Sequence, residues 1–273
     1  MSIKEIFLNL TAKTTLSGYE QDIFKIIETI ISTTLSYDSF GNGYLKIGQS
    51  DTIFMSHVDN FTESSKDVCH IFDGDFIKTD QTTILGADDK AGVSIMLHMI
   101  NHQIPGLYCF FKAEEHGCLG SKAFKIEHFK MLHAFKKCVS FDRKGYSDIV
   151  ICQNNINTAS AMFALDLINK LNLNYKIIEH GGSTDSSVFK YIIPECINIS
   201  VGYFQQHSFR ESVNITFLSK LADRCLNVDW QGLNIYREIP SLNQALLFEI
   251  TAQKMKERKE ILLIEAELGF SLY

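Results

Sequence analysis

The chain has 273 residues, 45% of them hydrophobic and 21% charged, which is enough apolar material for one large core in a soluble, globular chain. Its formal net charge of −6 argues against a nucleic-acid footprint, which needs clustered Lys and Arg. Lys4, Glu5 and Lys13 interrupt the apolar positions at the N-terminus, so it reads as neither a signal peptide nor a membrane span.

Residues 2–35 are helical in pattern, in two amphipathic stretches on either side of Ser17-Gly18, with Ser17 and Glu20 spaced for a capping box. The turn Asp38-Ser-Phe-Gly-Asn-Gly43 then opens a strand over 44–47. Thr52-Ile-Phe-Met-Ser56 has the pattern of a buried strand and leads directly to His57. Ile71-Phe72 and Phe76-Ile77 form a hairpin pattern across Asp73-Gly74. Gly86-Ala-Asp-Asp-Lys-Ala-Gly92 opens a helix whose apolar positions Val93, Met96, Leu97 and Ile100 recur at helical spacing, which puts Asp88 and Asp89 at a helix N-terminus.

Leu107-Tyr-Cys-Phe-Phe111 is a further strand and delivers Glu114 and Glu115. Gly117, Gly120 and Ser121 read as a turn and an N-cap for a helix through Phe124 and Phe129. Cys138-Val-Ser-Phe141 delivers Asp142; a strand over 149–152, a helix over 159–171, a strand over 175–178 and a loop over 180–187 entering a helix follow. Cys196-Ile-Asn-Ile-Ser-Val201 leads to the loop bearing His207, and a last long helix is expected over 241–268, after Pro240 and before Gly269.

Nearly continuous apolar runs separated by helical patterns indicate a sheet covered on both faces, and ligands gather at the carboxyl ends of the strands in such sheets. The seven cysteines are scattered and form no Cys-x-x-Cys pair, which points away from a disulfide framework or cysteine knuckle and toward the cytoplasm. What the strands do deliver is a dispersed set of imidazoles and carboxylates.

Those residue types suit a pair of divalent cations. Two such ions a few ångströms apart need shared oxygen ligands, and Asp88 is placed to bridge them. Asp88, Glu115 and Asp142 with neutral His57 and His207 would leave two zinc ions one excess positive charge, which a hydroxide would cancel. Side chains of the neighbouring Glu114 and Glu115 diverge, so Glu115 is read as a ligand and Glu114 as the general base. Asp59, two residues past His57, is expected to accept the other imidazole N–H and fix the tautomer. Asp89 either supports the bridge or caps its helix. His180 also follows an apolar strand, so strand-end reasoning does not choose between it and His207.

The chain here resembles the co-catalytic zinc aminopeptidases and related deacylases, a family that includes peptidase T and the glutamyl aminopeptidases. Ser17-Gly-Tyr-Glu20, Asp38-Ser-Phe-Gly-Asn42, His57-Val-Asp59, Leu85-Gly-Ala-Asp-Asp-Lys-Ala-Gly92, Glu114-Glu-His-Gly117 with Gly120-Ser121, Asp142, Gly182-Ser-Thr-Asp185 and Gly202-Tyr203 with His207 and Glu211 look like its landmarks, in its order. The resemblance implies His57, Asp88 and Asp142 on one metal, and Asp88, Glu115 and His207 on the other, with Glu114 passing a proton from water to the leaving amine. It favours His207 over His180. His180, Asp185, Tyr203, Arg210 and Glu211 become candidate substrate-binding residues, and His116 a neighbour of the base. Family members insert an extra domain between the counterparts of Asp142 and His207 or of His57 and Asp88; this chain has room for neither.

The expectation is therefore an α/β, three-layer αβα sandwich with a mixed, mostly parallel central sheet, forming one catalytic domain over 1–273. It would be a cytoplasmic dinuclear aminopeptidase acting on small peptides, with zinc, or alternatively cobalt or manganese, and with a homo-oligomer compatible. The rival readings are an N-acyl amino acid deacylase, for which Arg143, Lys144 and Arg210 would clamp a substrate carboxylate, and a silent relative that only binds.

Overall fold

Alternation along the central strands sorts their side chains onto two faces of one sheet. Ile53, Met55, Leu107, Cys109, Cys138 and Cys196 face one apolar cluster, whereas Phe54, Tyr108, Phe110, Val139, Phe141, Ile197 and Ile199 face another. Each cluster needs its own helical cover, which gives the expected three-layer sandwich. The structure is a computed structural model that describes residues 1–239. The chain divides into two compact units, Met1–Arg237 and Glu238–Tyr273. The first holds every candidate site residue; the helix expected over 241–268 lies outside the described residues.

Helix α1 (Ile3–Leu10) starts at a Ser2/Glu5 capping box, and α2 (Gln21–Ile31) follows. The capping box expected at Ser17 and Glu20 is not formed. Ser17 Oγ instead donates to Asp59 Oδ2 at 2.6 Å, and Glu20 Oε1 accepts the Gly18 amide at 2.9 Å, so no side chain caps α2. Strands β1 (Ser36–Tyr37), β2 (Gly43–Ile47) and β3 (Thr52–His57) then enter the sheet, and β4 (His70–Asp73) pairs with β5 (Phe76–Thr79) as the expected hairpin.

Helix α3 (Ala87–Asn101) begins after Gly86, whose φ of 75° suits glycine, and β6 (Gly106–Phe111) follows. Helix α4 (Leu119–Glu127) is entered at Cys118, not at Ser121. Cys118 takes φ 58°, and Ser121 lies inside the first turn, where its Oγ donates back to the Cys118 carbonyl at 3.3 Å. After α5 (Phe129–Leu132) come β7 (Lys137–Arg143), β8 (Asp148–Val150), β9 (Cys152–Gln153), β10 (Ile156–Asn157) and α6 (Ala161–Leu171), which Ser160 caps. The described chain continues through β11 (Lys176–Ile178), α7 (Asp185–Val188), β12 (Glu195–Ser200), β13 (Tyr203–Phe204), β14 (Ser212–Asn214) and α8 (Ile215–Leu226).

The main sheet has the order β1-β2-β6-β3-β7-β12-β8-β11. Strands β6, β3, β7 and β12 run parallel, with β2 and β8 antiparallel on either side. Parallel neighbours end on the same edge, so the residues after β3, β6 and β7 emerge side by side. A second sheet, β13-β14-β5-β4, braces the segment that carries His207 against the hairpin, with Val213 opposite Ile77. Among the described residues no helix is long and apolar enough to cross a membrane.

Candidate metal centre

His57 closes β3 with its ring buried. Nδ1 lies 3.0 Å from the Asp59 carbonyl oxygen and 3.4 Å from Asp59 Oδ1. A carbonyl only accepts, so Nδ1 carries the proton and Nε2 is turned toward the carboxylates. The nearer acceptor is thus the backbone of Asp59, where the sequence suggested its side chain. Nε2 lies 3.2 Å from Asp88 Oδ1, 3.9 Å from Asp142 Oδ1 and 4.0 Å from Glu114 Oε2.

Asp88 has one oxygen toward each imidazole, with Oδ1 near His57 and Oδ2 3.2 Å from His207 Nε2. His207 Nε2 is also 2.9 Å from Glu115 Oε1. Asp142 is fixed by a reciprocal amide pair: its N–H donates to Asn198 Oδ1 at 2.9 Å, and Asn198 Nδ2 donates to its carbonyl at 2.6 Å. The Tyr203 hydroxyl donates to Asp142 Oδ1 at 3.0 Å. All five candidate ligands and Glu114 therefore meet at one place, while His180 is exposed on the segment after edge strand β11.

Asp59 organises the surroundings. Its Oδ1 accepts the Glu114 amide at 3.0 Å, and its Oδ2 accepts Ser17 Oγ and, at 3.4 Å, the Glu115 amide. Burial opposes its ionisation, but the bonds from His57, Ser17 and Glu114 outweigh burial and hold the carboxyl at about 2. Glu114 is displaced the other way: burial, with Glu115 and Asp88 nearby, raises it, and Cys118 Sγ donates to its Oε1 at 3.4 Å.

Glu211 is buried, and its carboxylate accepts the Gly86 amide at 2.7 Å and the Asp88 amide at 2.9 Å. Asp185 is buried too, and burial lifts its carboxyl to about 8. Neither lines the cleft, and Arg210 and His116 are exposed. A cleft of about 160 Å³ is lined by Asp88, Glu114, Glu115, Asp142, Tyr203 and His207 on one side. Its walls add Arg143, Lys144, Gln206, Asn198 and the segment Gly181-Gly-Ser-Thr184. Asn198 was missed from sequence, although a polar residue inside the apolar run Cys196-Ile-Asn-Ile was a signal for it. Arg143 is held by Asp148 through Nε and Nη2, at 3.2 and 3.1 Å.

The donor set fits divalent cations. Ligand atoms of His57, Asp88 and Glu115, and likewise of His57, Asp89 and Asp142, lie within 4.8 Å of one another. Burial and the neighbouring Asp89 and Asp88 charges push Asp142 well above the usual carboxylate range, the signature of anions crowded without enough positive charge. Of the two roles that the sequence left open for Asp89, the helix-start contact is formed: its Oδ1 accepts the Gly92 amide at 3.2 Å.

No family model matches the chain. Over 181 residues it is 28% identical to the uncharacterised protein YqjE of Bacillus subtilis, a match that spans 58% of this chain and 48% of that protein. Solved structures are more informative about architecture. Aminopeptidase PepT from Bacillus cereus superposes with a TM-score of 0.69 at 17% identity, covering 82% of this chain and 96% of that one. A tripeptidase from Staphylococcus aureus gives 0.68 at 18%, covering 84% and 97%. The chain has the fold of these peptidases. The TET1 peptidase of Pyrococcus horikoshii shares it, with a TM-score of 0.63 at 17% identity over 83% of this chain and 98% of that one. In this peptidase fold the mostly parallel sheet and its carboxyl edge are the common frame on which the cluster above is mounted.

Proposed function

We propose that the chain is a metal-dependent exopeptidase that removes N-terminal residues from small peptides, using two divalent cations. Imidazole and carboxylate donors suit zinc first, and cobalt or manganese as well. The observation that carries the reading is Asp88, whose two oxygens address His57 and His207 separately. Asp142 joins His57, and Glu115 joins His207, which completes two adjoining donor sets.

Two ions bound there would supply Lewis-acid polarisation of the scissile carbonyl and a lower pKa for water. The chain's own residues do the rest. Glu114, raised by burial, takes the proton of the attacking water and returns it to the leaving amine nitrogen. Asp59 fixes the Glu114 and Glu115 amides, and its backbone carbonyl fixes the His57 tautomer. Glu211 ties the amides of Gly86 and Asp88 to the segment that carries His207. The reading includes a single catalytic domain, residence in the cytoplasm and self-association; the Pyrococcus horikoshii peptidase assembles into a tetrahedron or a large octahedral shell.

A second reading is favoured by one feature. Lys144 is exposed on the cleft wall beside Arg143, and among the described residues no carboxylate lines the cleft beyond Asp88, Glu114, Glu115 and Asp142. That wall suits a substrate carboxylate, as in an N-acyl amino acid deacylase. A digest of a peptide library with free and acylated N-termini, with and without chelator, tests both. Chelator-sensitive loss of N-terminal residues from the free peptides alone supports the aminopeptidase; release from acylated members alone replaces it with the deacylase.

A further inference from the structure

We propose that Phe61 is a positioning residue for the His207-side cation: its ring stacks on the imidazole of His207 and holds that ligand in its binding orientation. The inference rests on the two-cation reading above. The two rings have centroids 4.7 Å apart and an interplanar angle of 25°.

His207 needs such support more than the other ligand candidates do. His57, Asp88 and Asp142 are buried, and the Glu115 side chain is only 7% exposed, whereas the His207 side chain is 41% exposed. Its φ of 60° puts a non-glycine residue in the left-handed region, beside Gln205 at 53°. An imidazole on an exposed segment of this kind loses rotamer freedom when it binds a metal, unless a neighbour has already restricted the ring. A stacked aromatic partner supplies that restriction.

Phe61 is in turn held by its own neighbour. Asn60 is buried, donates from Nδ2 to the Asp88 carbonyl at 2.6 Å, and accepts Lys90 Nζ at 2.7 Å and the Thr15 amide at 3.0 Å through Oδ1. The next residue is therefore delivered to a fixed place, where Phe61 stays 56% exposed. An exposed phenyl ring gains little by burial, so its stack on a candidate ligand is the contact left to explain. Phe61 itself is not among the residues that line the cleft. One short segment thus supplies His57 to one cation, Asp59 to the catalytic Glu pair, and Phe61 to the ligand of the other cation.

The test is titration of metal-stripped protein with cobalt(II), followed by its visible absorption, for wild type, Phe61→Ala and Phe61→Tyr. Wild type is expected to take up two ions. Phe61→Ala should keep one ion at wild-type affinity and weaken the other by about tenfold or more, the usual effect of removing a group that orients a ligand. Phe61→Tyr, which keeps the stack, should restore wild-type uptake. Thermal melting of the stripped proteins should be nearly unchanged, since the side chain is largely exposed. Unchanged uptake by Phe61→Ala overturns the role of Phe61, as does equal weakening of both ions with a lower melting temperature. A wild-type chain that binds fewer than two ions overturns the two-cation reading itself, and the role of Phe61 with it.

Discussion

Glu211 and Asp88 are joined through the backbone: Glu211 Oε1 accepts the Asp88 amide at 2.9 Å, while Oε2 accepts the Gly86 amide at 2.7 Å. The carboxylate comes from the segment that carries His207, so one buried side chain couples two separate ligand-bearing stretches of chain. Glu211→Ala leaves both amides without their acceptor in a buried setting. The expected cost is about 1–3 kcal/mol, read as a lower midpoint in urea unfolding of the metal-stripped protein. Glu211→Gln keeps one carbonyl acceptor and should lose less. An unchanged midpoint in Glu211→Ala would remove this tie from the account of the site.

Burial of Glu211 was not visible in the sequence, because an exposed substrate carboxylate and a buried amide clamp are the same residue type at the same spacing. The strand ends were legible for a better reason. Continuous apolar runs such as Leu107-Tyr-Cys-Phe-Phe111 have to be covered on both faces, and parallel pairing of β6, β3 and β7 then brings the following residues to one edge. The same rule could not separate His180 from His207. Strand β11 lies at the margin of the sheet, beyond β8, and the order of strands is set by long-range pairing that no local pattern records. His207 arrives instead from the second sheet, between β13 and β14.

Glu114→Gln keeps the size of the side chain and removes its basicity. The cleavage rate should fall by a factor of about 10² to 10⁴, the range for loss of a general base. Metal content and thermal stability should stay at wild-type levels, because the proposed role of Glu114 is to carry the proton and not to hold a cation. Turnover at the wild-type rate in a fully metal-loaded Glu114→Gln protein would take the role of base away from it.

Chelation should destabilise the fold as well as stop turnover. With the cations gone, burial and the charges of Asp89 and Asp88 oppose ionisation of Asp142, so part of the native electrostatic balance is lost. At a free metal concentration of about 100 times Kd, binding to the folded state is worth about 2.7 kcal/mol, or roughly 5–10 °C in melting temperature for a unit of this size. Calorimetry of chelated and replenished protein checks both the sign and the reversibility. A melting temperature indifferent to metal would mean that the cluster holds no cation strongly.

Ser17 and Asp59 offer a test of the surroundings that leaves every candidate ligand in place. The Ser17 hydroxyl donates to Asp59 Oδ2 at 2.6 Å, and the same carboxylate receives the amides of Glu114 and Glu115. Ser17→Ala removes one donor and lets the Asp59 side chain reorient, which shifts the Glu pair without touching it. Since Ser17 is only half-buried, water can replace part of the lost bond, and unfolding stability should change by about 1 kcal/mol or less. Activity should respond more, with kcat lower by about tenfold and KM nearly constant, as for other groups that orient ligands from behind. Ser17→Thr keeps the hydroxyl and should recover most of the loss. If kcat is the same in Ser17→Ala and wild type, the Asp59 carboxylate holds its orientation through the two amides alone.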